Sequence, residues 1–286
     1  MEEKSNAFTV MPMNQQISLD PGQVYEGSIK IVNPSEATHD FAYKVEVTPY
    51  GVIDEDYKAD LLTQSDYTAI TKWIKIEEPT GTVAPNGTKD IKFTITVPEN
   101  APAGGQYATI TVASDAEANN SEGVAIQDIY EMASIIYADI NGETIHDGEI
   151  LSNEVPSFAV STPFETNAIV TNNGNIHEIA NYSITVSDFF TGNIISTIPE
   201  EGGQYSEVIM PETTHYINRE IDNLPVLGIV KINQTINYNG QTSITERDVV
   251  ICPIWFIVLC GLAIAAIITT IIHLVRRHRR KKHAVI

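Results

Sequence analysis

The chain has almost no cysteine. There are two in 286 residues, Cys252 and Cys260, and both fall inside one apolar run near the end. The preceding part must therefore be stabilised by ordinary cores, which excludes small disulfide-stapled modules. Basic residues are also scarce, at 17 Lys and Arg against 37 Asp and Glu. Six of those basic residues lie after position 275 and no acid lies after Asp248. Eleven basic and thirty-seven acidic residues remain ahead of the apolar run, a net charge of −26. A surface of that sign excludes nucleic acid as a partner, because phosphates demand Lys and Arg. It predicts weak affinity for anionic polymers, dependent on bridging divalent cations. No G-x-S-x-G elbow, G-x-G-x-x-G fingerprint or phosphate loop occurs. An export signal is missing as well, since MEEKSNAF is charged and polar with no apolar stretch.

What is present most clearly is the run from Val249 to Val275, which contains no charged residue and is followed at once by RRHRRKK. About 20 apolar residues suffice for a helix to cross the hydrocarbon core of a bilayer. The basic cluster after the run, beginning with Arg276 and Arg277, is expected to stay cytoplasmic by the positive-inside rule. The expectation is a single-pass plasma-membrane protein with its N-terminal part extracellular, its basic tail (276–286) cytoplasmic, and its signal peptide absent from the chain as given. Tail anchoring, with the acidic part in the cytosol, runs against the charge rule. Trp255 near the outer end and the small-xxx-small pair Gly261 and Ala265 complete the anchor residues; the pair could let two helices approach.

The rest reads as short strands broken by Gly, Pro and Asn. In the first part these are Val24–Val32 ending at Asn33-Pro34-Ser35, Phe41–Val47, a segment around Trp73, Ile74 and Ile76, Ile91–Val97, Tyr107–Val112, and a long strand over Val124–Ile140. The alternation in IKFTITV turns Ile91, Phe93, Ile95 and Val97 inward. Asp128–Ala138 could be helical by composition, but its Ile and Tyr content and its all-β surroundings predict strand. The second part carries Ala168–Thr171 into the Asn172-Asn173-Gly174-Asn175 turn, then Tyr182–Val186, Ile194–Ile195, Val208–Met210 and Ile229–Tyr238. The predicted fold is all-β: two tandem immunoglobulin-like β-sandwiches, 7–141 and 142–246, and one transmembrane helix, 249–275. The turns NPS and NNGN, each after an apolar strand, hint at a duplicated topology.

Several motifs begin like chemical sites and stop short. His177-Glu178-Ile-Ala-Asn181 opens like a zinc-protease motif, but Asn181 stands where the second histidine belongs. Asp54, Glu55, Asp56 and Asp60 cluster like a calcium loop, yet the fifth, sixth and twelfth places hold Lys58, Ala59 and Ser65 rather than an oxygen ligand, Gly and Glu. Leu224-Pro225-Val226-Leu227-Gly228 resembles a sortase signal with Leu227 in place of Thr, and reads as a turn into the next strand. The expectation is no catalytic, cofactor or metal residues.

Larger blocks carry a family resemblance. These are Leu19-Asp-Pro-Gly and Val32-Asn33-Pro34-Ser35, then Val83-Ala-Pro-Asn-Gly before IKFTITVP, then Ile169-Val-Thr-Asn-Asn-Gly-Asn175-Ile-His, Val208-Ile-Met-Pro-Glu-Thr and Leu224-Pro-Val-Leu-Gly-Ile. On them the chain resembles the WxL-interacting-protein type of Gram-positive cell-surface protein. That resemblance implies two β-sandwich domains, one C-terminal span and a basic tail. It further implies peptidoglycan attachment through the first domain and protein partners for the second. The leading expectation is a non-catalytic surface binder, scaffold or adhesin that takes a cell-wall polymer or an envelope surface protein. The alternative is an envelope assembly or secretion chaperone that works through a sheet edge. An enzyme ranks third, since no convergent polar groups are visible.

Overall fold

A computed structural model describes residues 8–53, 57–114 and 131–283, with side chains as far as Arg276. The fold is all-β with one C-terminal helix. Contacts divide it into two compact units. The first is 1–148 with 171–178 and 208–215; the second is 149–170, 179–207 and 216–286.

The first unit contains β1 (Thr9–Met11), β2 (Asn14–Leu19), β3 (Val24–Val32), β4 (Phe41–Pro49), β5 (Gly51–Ile53), β6 (Lys58–Asp60), β7 (Ile74–Ile76), β8 (Thr80–Val83), β9 (Thr88–Thr96), β10 (Gly104–Ser114) and β11 (Glu131–Ile140). A four-stranded sheet, β1-β3-β9-β7, and a five-stranded sheet, β2-β11-β10-β4-β8, enclose one core. The alternating segments supply it from both sides. Ile91, Phe93, Ile95 and Val97 are buried from β9 and its end, while Tyr43, Val45, Ile110, Val112, Ile136 and Ala138 face them from the other sheet. Phe93 lies directly opposite Gly27 in the β3–β9 ladder, and the glycine leaves the space that its ring fills. The segment predicted around Trp73 is shared between two structures. Asp66–Lys72 forms a 3-10 helix that Trp73 closes, and only Ile74–Ile76 is strand.

The second unit is built on β12 (Gly148–Glu154), β13 (Phe158–Ala159), β14 (Phe164–Asn172), β15 (Glu178–Asp188), β16 (Ile194–Ile198), β17 (Tyr205–Ile209), β18 (Thr213–Ile221), β19 (Gly228–Tyr238) and β20 (Gln241–Ile251), then helix α1 (Ile254–His283). Several of these strands lend an end to the first unit. The sheets are β12-β14-β18 and β13-β20-β19-β15-β16, with β17 also on β15. Val186, Val230, Ile232, Val249 and Ile251 form the centre of the second core.

The apolar run is split in a way its composition conceals. Val249 and Ile251, expected at the start of the membrane span, are fully buried in the sandwich as the end of β20. The helix begins only at Ile254, after Cys252 and Pro253. Along the strand the apolar residues alternate with outward ones, and β19 pairs with them through Gly228↔Ile251; the core therefore claims them before the helix can start. The stretch Ile254–Arg276, 23 residues with a mean hydropathy of 2.6 and none of it buried, is long and apolar enough to cross a membrane.

Two turn asparagines anchor the first unit. Asn33 donates its side-chain amide to the carbonyls of Val83 (2.9 Å) and His39 (3.2 Å). Asn172 donates to Ile176 (2.8 Å) and Ile209 (3.0 Å), and its Oδ1 accepts from Gly174 N. Each buried amide satisfies carbonyls that the turn would otherwise orphan.

Candidate functional site

The five-stranded sheet of the first unit presents both a groove and a free edge. The groove, about 380 Å³, runs over β4 and β10 and ends at Glu131. Its floor is polar because the outward positions of these strands are hydroxylic. Thr48 Oγ1 lies 2.5 Å from Thr109 Oγ1 and 3.5 Å from Thr111 Oγ1. Lys44 pairs with Glu46 at 2.5 Å, Ser114 Oγ is buried with no hydrogen-bond partner, and Leu61 and Leu62 form a wall. Among the described residues no aromatic ring lines it.

The edge is β2, which pairs in parallel with β11 through Ile135↔Asn14 to Ile140↔Leu19 and has no neighbour on its other side among the described residues. The carbonyls of Met13 and Leu19 accept from Ile135 N and Asn141 N at 2.9 and 2.8 Å. Backbone direction alternates along a strand, so the amides and carbonyls of Asn14, Gln16 and Ser18 point to the open side. Ile17 and Leu19 are buried while Asn14, Gln16 and Ser18 are exposed, so the edge is firmly seated and polar. Just ahead of it Met11 and Met13 are 45% and 70% exposed. Flexible thioethers beside an unpaired edge suit an extended chain of variable sequence.

A cluster of rings lies elsewhere in the first unit. Tyr107 and Tyr137 are buried edge to face at 5.9 Å, with Tyr50 on Tyr137 at 5.8 Å. Tyr107 Oη accepts from His177 N at 2.9 Å and lies 3.2 Å from its Nδ1. Asp139 Oδ1 is 3.7 Å from the same Nδ1. Burial lowers the His177 pKa, against the pull of Asp139, and raises that of Asp139, against His177. Tyr57 receives Met210 N at 2.5 Å and stands 2.6 Å from Thr213 Oγ1; burial pushes its pKa up to about 12. His215, its ring 4.0 Å from that of Tyr57, is pushed down to about 4 by burial alone. These groups bind one another, and no serine or cysteine nucleophile joins them in the contacts described. The cluster reads as packing.

The near-miss motifs fall into structural roles. His177 faces Tyr107, Glu178 pairs with His146 at 2.5 Å, and Asn181 accepts from Ser206 at 2.6 Å, so the three point to separate partners. Among the described residues no group of three or more His, Cys, Asp or Glu could hold a metal ion. Of the acidic loop, Asp54, Glu55 and Asp56 lie outside the described residues, as do 116–123 and the 124–130 part of the long predicted strand. Asp60 accepts from Leu62 N and Thr63 N, and its pKa is lowered first by the Thr63 side chain and then by these two amides. Leu224–Leu227 forms the connection into β19. In α1, Trp255 sits in the first turn with its ring 5.7 Å from that of Phe256. Gly261 has open space around it, Ala265 follows one turn later, Arg276 closes the apolar stretch and Arg277 continues the helix. The free edge and Met13 did not emerge from the sequence, because which side of a strand stays unpaired depends on the whole sheet order.

No family model and no curated protein matches the chain. Solved structures with a similar fold include the class 5 fimbriae chaperone CfaA, with TM-score 0.42, 13% identity, and 84% of this chain and 99% of that one covered. The YadV chaperone gives 0.41, 9%, 85% and 99%. A chain of the CsuC–CsuE chaperone–tip adhesion subunit complex of Acinetobacter baumannii gives 0.39, 14%, 84% and 98%. At these scores the likeness carries no argument for function.

Proposed function

We propose that this protein is a membrane-anchored, non-catalytic binder of extended segments of envelope proteins, gripping them along a sheet edge in the manner of an assembly or secretion chaperone. The observation that carries the reading is the β2 edge, unpaired among the described residues, with the backbone of Asn14, Gln16 and Ser18 outward and Met13 exposed beside it. An added strand would draw affinity from main-chain hydrogen bonds and selectivity from the side chains of alternate residues. In this reading the two sandwiches are immunoglobulin-like domains, α1 crosses the plasma membrane, the sandwiches are extracellular and the basic tail is cytoplasmic. It also fits the protein-partner side of the WxL-interacting resemblance better than the wall-polymer side. The groove over β4 and β10 offers hydroxyls and, among the described residues, no ring on which a sugar could stack, and the acidic surface repels anionic wall polymers.

The test is photo-cross-linking in cells from an unnatural side chain at Gln16, with Lys75 on the other sheet as control. Cross-links from 16 to an envelope protein, absent from 75, support the reading. The variant Gln16→Pro removes one outward amide while sparing the β11 ladder and should lose those partners with little change in melting. Equal cross-linking from both positions, or partners undiminished in Gln16→Pro, refutes it.

A further inference from the structure

One end of the second unit is apolar where a soluble domain would be polar. Backbone pairing fixes which chain segments meet there. Gly228 faces Ile251 across β19 and β20. Ala159 pairs with Ile251, and its carbonyl accepts from Cys252 N at 2.9 Å. Asp188 faces Val230, and Phe189 N reaches the carbonyl of Ile229. Ser187 faces Ile194. The tips of β13, β15, β19 and β20 therefore form one row, and three loops project from it together with the joint to α1. Those loops expose Val160, Phe189, Phe190, Val226 and Leu227, and β16 starts beside them with exposed Ile194; Phe190 is 79% exposed and Val226 61%.

The phenylalanines are held out rather than left loose. Asp188 Oδ1 accepts from Phe190 N (3.0 Å), Thr191 N (2.7 Å) and Thr191 Oγ1 (2.8 Å), which fixes the turn that carries them. The Phe189 and Phe190 rings pack edge to face at 5.1 Å. At the other end of β19 and β20 the turn is Asn239–Gly240, with no apolar side chain. Contiguous exposed apolar residues mark a contact surface, and here the same row runs straight into the apolar helix. Only Cys252 and Pro253 separate Ile251 from α1. Trp255, the residue type that marks membrane interfaces, is the second residue of α1.

We infer that this end of the second unit is a lipid-docking collar: Phe189, Phe190, Val226 and Leu227 insert at the headgroup–acyl boundary of the bilayer that α1 crosses. The inference rests on the spanning reading of α1. The contact is apolar, so it forms on zwitterionic lipid. Asp188 is occupied within its own turn and adds no demand for lipid charge.

The full chain, with Cys252→Ser and Cys260→Ala, is reconstituted in phosphatidylcholine vesicles carrying a nitroxide on lipid acyl chains. A single cysteine is labelled with an environment-sensitive fluorophore at Asn193 in the loop, at Thr242 near the opposite end, or at Leu259 in the helix. Expected is strong quenching at 193 by a shallow nitroxide, none at 242, and quenching at 259 by a deep one. Phe189→Ser with Phe190→Ser should remove at least half of the quenching at 193, circular dichroism confirming the fold. A probe at 193 as unquenched as at 242, while 259 is quenched, overturns the collar. Quenching at 193 that ignores the double substitution overturns it too, since the short joint alone would then explain proximity. A probe at 259 that escapes the deep quencher refutes the spanning helix itself.

Discussion

Gly27→Ala should destabilise the first unit through a single contact. Gly27 faces Phe93 across β3 and β9, and a Cβ at Gly27 would meet the ring with its Cε carbons at 2.7 and 3.0 Å and Cζ nearer still. The ring cannot swing into solvent, because Phe93 is 1% exposed and belongs to the main core with Tyr25 packed alongside. Overpacking of this kind costs about 1–3 kcal/mol. With a urea m-value of about 2 kcal/mol/M, a loss of 2 kcal/mol moves the midpoint by about 1 M. Trp73 packs against this core, so its fluorescence in a Trp255→Phe background reports the unit in the intact chain. Phe93→Leu alone should cost about 1–2 kcal/mol through the lost ring. If the clash is the cause, the double variant should be at least about 1 kcal/mol more stable than the two single losses added together. A Gly27→Ala midpoint within about 0.2 M of the parent, or strictly additive losses, would refute the packing argument.

Other outcomes follow from the same geometry. Val45→Asp should unfold the first unit, because Val45 is buried, whereas Lys92→Asp on the outward face of β9 should be tolerated; thermal melts compare them, and equal losses would displace the strand register. A fragment ending at 246 should be less stable than one ending at 252 by about 3–6 kcal/mol, since it lacks the fully buried Val249 and Ile251; denaturation of the two fragments decides it. His215, with its pKa lowered to about 4, binds protons more readily unfolded than folded between its ordinary value and 4, so stability falls as pH drops through that window. His215→Gln should flatten that part of the pH–stability curve by roughly 2 kcal/mol at pH 4, and an unchanged curve would show that His215 titrates alike in the folded and unfolded states.

Much of the architecture was legible wherever one face of a strand is buried. IKFTITV announced its inward residues because period-two alternation has no other use there, and the NPS and NNGN turns turned out to hold their asparagines in matching roles. The 3-10 helix at Asp66–Lys72 was not legible, since DYTAITK has neither the length nor the period of a helix. Strands β12, β18 and β20 were missed for a related reason: their polar residues outnumber the apolar ones, and their identity comes from neighbours far along the chain. The apolar run misled at its start because composition cannot distinguish a buried strand end from an exposed apolar helix when the two abut. The candidate edge depends on sheet order, a long-range property, so only its residue types could have been read beforehand.

The joint at Cys252–Pro253 also settles how the second unit would carry a pull. Tension arriving through α1 enters at Ile251, the end of β20, and runs along that strand. β20 lies between β13 and β19 and is matched to β19 over eleven residue pairs, from Gly228↔Ile251 to Tyr238↔Gln241. The load therefore acts along the ladder, and the hydrogen bonds share it in shear instead of parting one after another from a loose end. A pull entering through α1 is therefore met by all eleven pairs of that ladder at once.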